Sequence, residues 1–240
     1  METPQYVILR GVKRSGVETP LYIFRGLENP RYAMQKIYYE RRLPHWQPPG
    51  ATFFLTYRLE GSIPMEQLRF LKQQYSEEEQ MARERLAGQA LETELYDIQR
   101  RYFGKYDKAL DENPNEPYWL REDAVATEVV NSLKYCAERY FHLWAYCIMP
   151  NHVHLLIKHH EGAPLLADIL QRHKGYTGNI CNKHLGRHGA FWQEETYDHV
   201  VRNEAEFHRI AWYILQNPVK AKLAKNWQDW CWTYAAPDLL

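Results

Sequence analysis

His152 and His154 stand two apart in the run HVHLLIKHH, residues 152–160. On a β-strand both imidazoles leave the same sheet face, while Val153 between them turns the other way into a core. Two neutral ring nitrogens on one face form half of a metal site. A second grouping, WYILQNP at 212–218, sets Tyr213 and Asn217 four apart, on one helical face about one turn from each other. A phenol is a poor nucleophile near neutrality because its pKa is about 10. It attacks a phosphodiester when a divalent cation polarises the phosphate and holds the phosphorus in line. The histidine pair could hold that cation, and the amide oxygen of Asn217 could complete its protein shell, leaving positions open for phosphate oxygens. Mixed nitrogen and oxygen ligands with open positions suit Mg²⁺ or Mn²⁺. Taken singly, each feature has a plainer reading: satisfied or surface histidines, and an amphipathic core tyrosine, which from spacing alone is the simpler one.

The elements that must position these groups follow from hydropathy and turn signals. ATFFLTYRL, residues 51–59, is rich in aromatic and β-branched residues and reads as a strand. Residues 64 to about 110 read as an acidic helical hairpin inserted after it, with glutamates on a solvated face and a turn at 111–117. VATEVVNSLKYCAERY predicts an amphipathic helix, HLWAYCIMP a strand, Pro150-Asn151 a tight turn, and HVHLLIKHH the antiparallel return. His159 and His160 read as surface residues at its end. A helix from Pro164 to about Leu185, weakened by Gly175 and Gly178, precedes an extended run in GRHGAFWQEETYDHVV. The next helix starts at Asn203, an N-cap with Glu206 at the capping-box position, and ends or kinks at Asn217-Pro218. This order suits an α+β sandwich with helices covering one face of an antiparallel sheet. Residues 1–35 read as an arm or small hairpin, and the Trp-rich 224–240 as a tail over the body.

Composition narrows the classes. With 240 residues, 45% hydrophobic and 25% charged, the chain has the makeup of an ordinary globular protein, which excludes disordered and fibrous classes. Thirty basic residues balance thirty acidic ones. That argues against indiscriminate coating of nucleic acid, but the balance is uneven along the chain. Residues 1–59 carry nine basic and four acidic groups, 60–123 nine and fifteen, and 124–240 twelve and eleven. This unevenness leaves room for a local basic groove, and if the chain binds nucleic acid, removal of the acidic insert is expected to strengthen non-specific binding. The four cysteines form no C-x-x-C pair and point to a reducing compartment. The absence of a long apolar run points to a cytoplasmic protein outside the membrane.

CIMPNHVHLLI (147–157) together with GRHGAFWQEETYDHVVRNEAEFHRIAWYILQNPVKAKL (186–223) resembles the REP-associated tyrosine transposases, single-tyrosine members of the HUH endonuclease group. ERRLPHWQPPGATFFLTYRL (40–59) is similar to their first strand and its lead-in. The resemblance implies a ferredoxin-like catalytic domain over 36–223, carrying the helical insert at about 62–118. It implies cleavage of single-stranded DNA beside hairpins of repetitive extragenic palindromes. By position, His152 and His154 match the metal-holding pair. Tyr213 matches the nucleophile that forms a 5′-phosphotyrosine, and Asn217 the polar residue that serves as third ligand. A divalent cation, Mg²⁺ or Mn²⁺, and hairpin or single-stranded DNA are the implied cofactor and partner, with a monomer favoured over a homodimer. DNA contacts are expected from Arg14, Arg41 and Arg42 in the basic amino-terminal part and from Trp192, His199 and Arg202 ahead of the tyrosine helix. Two other readings remain open: a domesticated hairpin-binding protein that does not cut, and a metal-dependent hydrolase that uses water.

Overall fold

Alternation in TFFLTYRL sends Phe53, Leu55, Tyr57 and Leu59 to one face of a strand and Phe54 and Thr56 to the other. Both faces are buried, which an antiparallel sheet permits only when it is covered on both sides. A computed structural model of the chain describes residues 6–9, 21–24, 38–40, 44–46, 48, 50–113 and 117–239. Two short antiparallel hairpins come first: β1 (Tyr6–Leu9) with β2 (Leu21–Phe24), and β3 (Tyr38–Glu40) with β4 (Pro44–Trp46).

The main sheet is built from β5 (Thr52–Leu59), β6 (Phe141–Ile148), β7 (His152–His159), β8 (Trp192–Val200) and β9 (Thr233–Ala235). Its order is β8-β5-β7-β6-β9, and every neighbouring pair is antiparallel. Helices α3 (Asp123–Ala137) and α4 (Leu166–His184) make the crossovers, so β5-α3-β6-β7-α4-β8 has the ferredoxin-like connectivity, first strand beside third and fourth at the edge. The tail contributes β9, whose pairing covers the edge of β6.

Helices α3 and α4 cover the face that carries Phe53, Val153 and Leu155. Helix α5 (Glu204–Lys220) lies on the opposite face, where Ile210, Ala211 and Ile214 meet Phe54, Ala145, Cys147 and Leu156. The histidine pair has the parity of Leu156 and therefore looks towards α5. Gly178 of α4 survives mid-helix for a steric reason, since a Cβ there would stand 3.3 Å from that of Phe191. Pro218 does not end α5, which continues to Lys220 before Lys222 adopts positive φ. Close to a helix C-terminus, proline forfeits one hydrogen bond and keeps a helical φ. Tyr213, Asn217 and Lys220 consequently share one continuous helix.

The insert folds as α1 (Met65–Arg85) and α2 (Gly88–Asp111), which bury Leu68, Leu71, Tyr102, Tyr106, Ala109 and Leu110 between them and the loop at Ile63. Outer ion pairs such as Arg101 with Glu78 and Glu94 are largely exposed and add little. The other face of α2 meets the sheet through Phe103, in edge contact with Phe54 at a centroid distance of 5.0 Å. Among the described residues no helix is long and apolar enough to cross a membrane.

Candidate active site

The β6–β7 turn sets the histidines. Asn151 donates from Nδ2 to the Leu110 carbonyl, one of the last unpaired carbonyls of α2, at 3.0 Å. Because a carbonyl only accepts, this fixes the amide orientation and leaves Oδ1 to accept from Nδ1 of His152, at 2.6 Å. The proton of His152 therefore sits on Nδ1, and Nε2 presents a lone pair. His154 is oriented the same way by Thr56 Oγ1, 2.7 Å from its Nδ1. A hydroxyl donates or accepts by rotation, so His154 can carry its proton on either nitrogen. The two Nε2 atoms stand 3.0 Å apart.

Asp107 of α2 completes the cluster. Its Oδ1 lies 3.3 Å from His154 Nε2, and ligand atoms of Asp107, His152 and His154 all fall within 4.8 Å of one another. The three are at most 2% exposed. Across from them stands the tyrosine helix, with the Tyr213 ring 5.6 Å from that of His154 and 5.9 Å from that of Phe103. The Tyr213 hydroxyl neighbours Asp107 and Asn217 but completes a hydrogen bond to neither. Lys220 closes the group, its Nζ at 2.8 Å from Asp107 Oδ2 and 2.9 Å from Asp111 Oδ2.

The electrostatics follow from burial and from this grouping. Burial, then the neighbouring His154, pushes His152 well below its ordinary value and keeps it neutral, as a ligand must be. Burial alone would raise Asp107, but the contact with His154 and the charge of Lys220 outweigh it and hold the carboxyl far below the usual range. Burial and then Asp107 push the Tyr213 hydroxyl far upward, so the phenol stays protonated. The Tyr213 hydroxyl and both side-chain polar atoms of Asn217 are buried without a hydrogen-bond partner, and Asp107 Oδ1 has only the 3.3 Å approach of His154 Nε2. Such orphans are rare in native proteins and mark a place for an ion or ligand. The donor set, two imidazole nitrogens with carboxylate and amide oxygens, fits a divalent cation.

His152, His154, Tyr213 and Asn217 are thus brought together, and Asp107 joins them. Sequence reasoning missed Asp107 among the fifteen acidic residues of its segment and treated the insert as solvated surface. The available signal was its place on an otherwise apolar helical stripe with Phe103 and Leu110. Asn217, the expected third ligand, has its amide beside the Tyr213 hydroxyl, and Asp107 adds a carboxylate within ligand distance of the histidines. The expected DNA contacts divide. Trp192 packs in the core against Tyr57 and donates to Thr177 Oγ1 at 2.9 Å, so its ring offers no exposed face for a base. His199 is buried against Glu206 Oε1 at 3.1 Å, a structural pair. Arg202 is exposed, its guanidinium over the Tyr96 ring at 4.2 Å. Arg14, Arg41 and Arg42 lie outside the described residues. His159, expected at the surface, is buried and bonds the Pro164 carbonyl at 2.8 Å, because β7 runs on beneath the following loop.

Comparison with known proteins agrees with the motifs. The family model described as "Transposase IS200 like" matches residues 118–217, which include both histidines, Tyr213 and Asn217 and leave out Asp107 and Lys220. The Haemophilus influenzae protein named "Putative REP-associated tyrosine transposase" is 27% identical over 124 residues, covering 46% of this chain and 70% of that protein. A solved structure, a REP-associated tyrosine transposase bound to a REP hairpin, superposes with a TM-score of 0.46 and 18% identity over 81% of this chain and 80% of the other. The family model and the Haemophilus influenzae relative bear out the family resemblance read from the motifs.

Proposed function

We propose that this chain is a metal-dependent single-stranded DNA endonuclease and strand transferase acting at REP-type hairpins through a 5′-phosphotyrosine. The observation that carries the reading is the meeting of His152 Nε2, His154 Nε2 and Asp107 Oδ1 beside the unpaired hydroxyl of Tyr213. The histidines and Asp107 would hold a Mg²⁺ or Mn²⁺ ion, with Asn217 as a further oxygen donor near the nucleophile. Bound there, the ion would neutralise charge on the scissile phosphate and offset the field of Asp107 that now opposes ionisation of Tyr213. The Tyr213 oxygen attacks phosphorus, the bond to the 3′ oxygen breaks, and the phenolic proton balances the released 3′-hydroxyl. Attack by a 3′-hydroxyl in reverse rejoins DNA without nucleotide hydrolysis. The hairpin substrate is carried over from the resemblance, and the cytoplasmic location from the cysteine pattern of the sequence. The domain division proposed with it is an amino-terminal arm over 1–35, the catalytic domain with its insert over 36–223, and the tail over 224–240.

Shielding of the Tyr213 hydroxyl under α2 favours one rival, a hairpin-binding protein that does not cut. Incubation with a REP-type hairpin oligonucleotide bearing a single-stranded extension, with Mn²⁺, decides between them. A covalent protein–DNA species resistant to denaturant is expected, absent in Tyr213→Phe and in His152→Ala. Hairpin affinity with no covalent species supports the binding protein, and cleavage retained in Tyr213→Phe supports hydrolysis by water.

A further inference from the structure

Lys220 lies seven residues beyond Tyr213 and three beyond Asn217, which puts all three on one face of α5. Its Nζ is 5.7 Å from the centre of the Tyr213 ring. The histidines and Asp107 have at most 2% exposure, while the Lys220 side chain is 50% exposed. A phosphate arriving from solvent meets Lys220 before any other member of this group. The lysine is held by two carboxylates, and these differ. Asp107 reaches the histidines, whereas Asp111 is outside the ligand cluster and has its second oxygen, Oδ1, buried and unpaired. One oxygen on the lysine and one turned inward is the arrangement that two non-bridging oxygens of a phosphodiester would take.

We propose that Lys220 is the phosphate-binding cation of strand cleavage, held in reserve by Asp111 until the scissile phosphate displaces that carboxylate. This rests on the reading of the chain as a tyrosine endonuclease. Charge supports it: with a divalent cation beside neutral histidines, Asp107, Asp111 and Lys220 leave one net positive charge, matched by the single negative charge of a phosphodiester. Without Lys220 the loaded site would be neutral and would hold a phosphate less well. A lysine suits the task because it binds phosphate as a point charge on a flexible stem.

The test uses the intact chain. Wild-type protein with Mn²⁺ first locates the cleaved bond through the 3′ end it releases. If no covalent species forms, the endonuclease reading fails, and this proposal with it. Binding is then measured by fluorescence anisotropy in the Tyr213→Phe background, on the same oligonucleotide with either a normal phosphate or an uncharged methylphosphonate at the mapped bond. On phosphate DNA, Lys220→Met should weaken binding about tenfold and lower the salt slope by roughly 0.7, the share of one single-strand phosphate. On methylphosphonate DNA, Lys220→Met and its parent should bind alike. Asp111→Asn, which removes the competing carboxylate, should tighten binding to phosphate DNA, and Lys220→Arg should restore most of the affinity. Equal losses on both DNAs, or no loss on either, with a mapped bond in hand, would overturn the role of Lys220 and leave the endonuclease reading standing.

Discussion

Asp107 Oδ1 lies 3.3 Å from Nε2 of His154, although one belongs to the helical insert and the other to the central sheet. The insert is therefore part of the site. Leu110, a turn further along α2, accepts from Asn151, which in turn orients His152, so the same helix supplies a carboxylate and supports a histidine.

This contact predicts a metal-affinity effect. Asp107→Asn keeps the shape and removes the charge, and should weaken Mn²⁺ binding measured by isothermal titration calorimetry by at least ~10–100-fold, the range seen even for supporting groups. Unchanged affinity in Asp107→Asn would remove Asp107 from the ligand set.

The groups behind the histidines should matter nearly as much. Thr56→Val deletes the hydroxyl that orients His154 while preserving volume, and a loss of about tenfold in Mn²⁺ affinity is expected with little change in melting temperature. A variant that binds the ion like wild type would show that packing alone orients His154.

Glu206 ties three elements together. Its Oε1 accepts from Tyr96 of α2, from His199 of β8 at 3.1 Å and from Arg209 at 3.2 Å, and its Oε2 accepts from the Arg202 backbone at 2.8 Å. Glu206→Ala leaves several of these groups unpaired and should cost about 3 kcal/mol, a fall in melting temperature of roughly 10 °C. A fall of under about 2 °C would mean that water replaces the carboxylate without loss.

Acid sensitivity should have a source far from the site. His173 is buried between Tyr57, 2.8 Å from its Nε2, and Ser132, 2.9 Å from its Nδ1. Burial, reinforced by Lys174, lowers it to about 3. The unfolded chain takes up the proton near pH 6.5 and the folded chain does not, so stability is full above that pH and declines as pH falls towards about 3. The slope reaches ~1.4 kcal/mol per pH unit. His173→Gln should melt lower at pH 7.5 yet lose stability more slowly between pH 6.5 and 4.5. Parallel declines in the two proteins would assign the acid sensitivity to other groups.

The strands, the crossover helices and the pairing of Tyr213 with Asn217 were legible because each rests on a local period of two or of 3.6 residues. Asp107 and Lys220 were not, because their roles depend on where a long insert lands, which no local pattern records. Trp192 and His199 looked like nucleic-acid contacts by residue type, and tertiary packing gave them core partners instead. The simple electrostatic view of the insert changes too. Deleting 65–111 would remove Asp107 and uncover Phe54, whereas Glu77, Glu84 and Glu92 are exposed and can be changed to Gln without touching the site. That triple variant should bind non-specific DNA more tightly at low salt, with the difference fading as salt rises.

The most direct measurement is the chemistry of Tyr213 itself. The covalent species formed with hairpin DNA and Mn²⁺ is to be digested with nuclease and trypsin and its peptides weighed by mass spectrometry. A nucleotide on the tryptic peptide IAWYILQNPVK, residues 210–220, localised to Tyr213, is the predicted result. A nucleotide on any other residue, or DNA cut without one, would contradict the assignment of Tyr213 as the nucleophile.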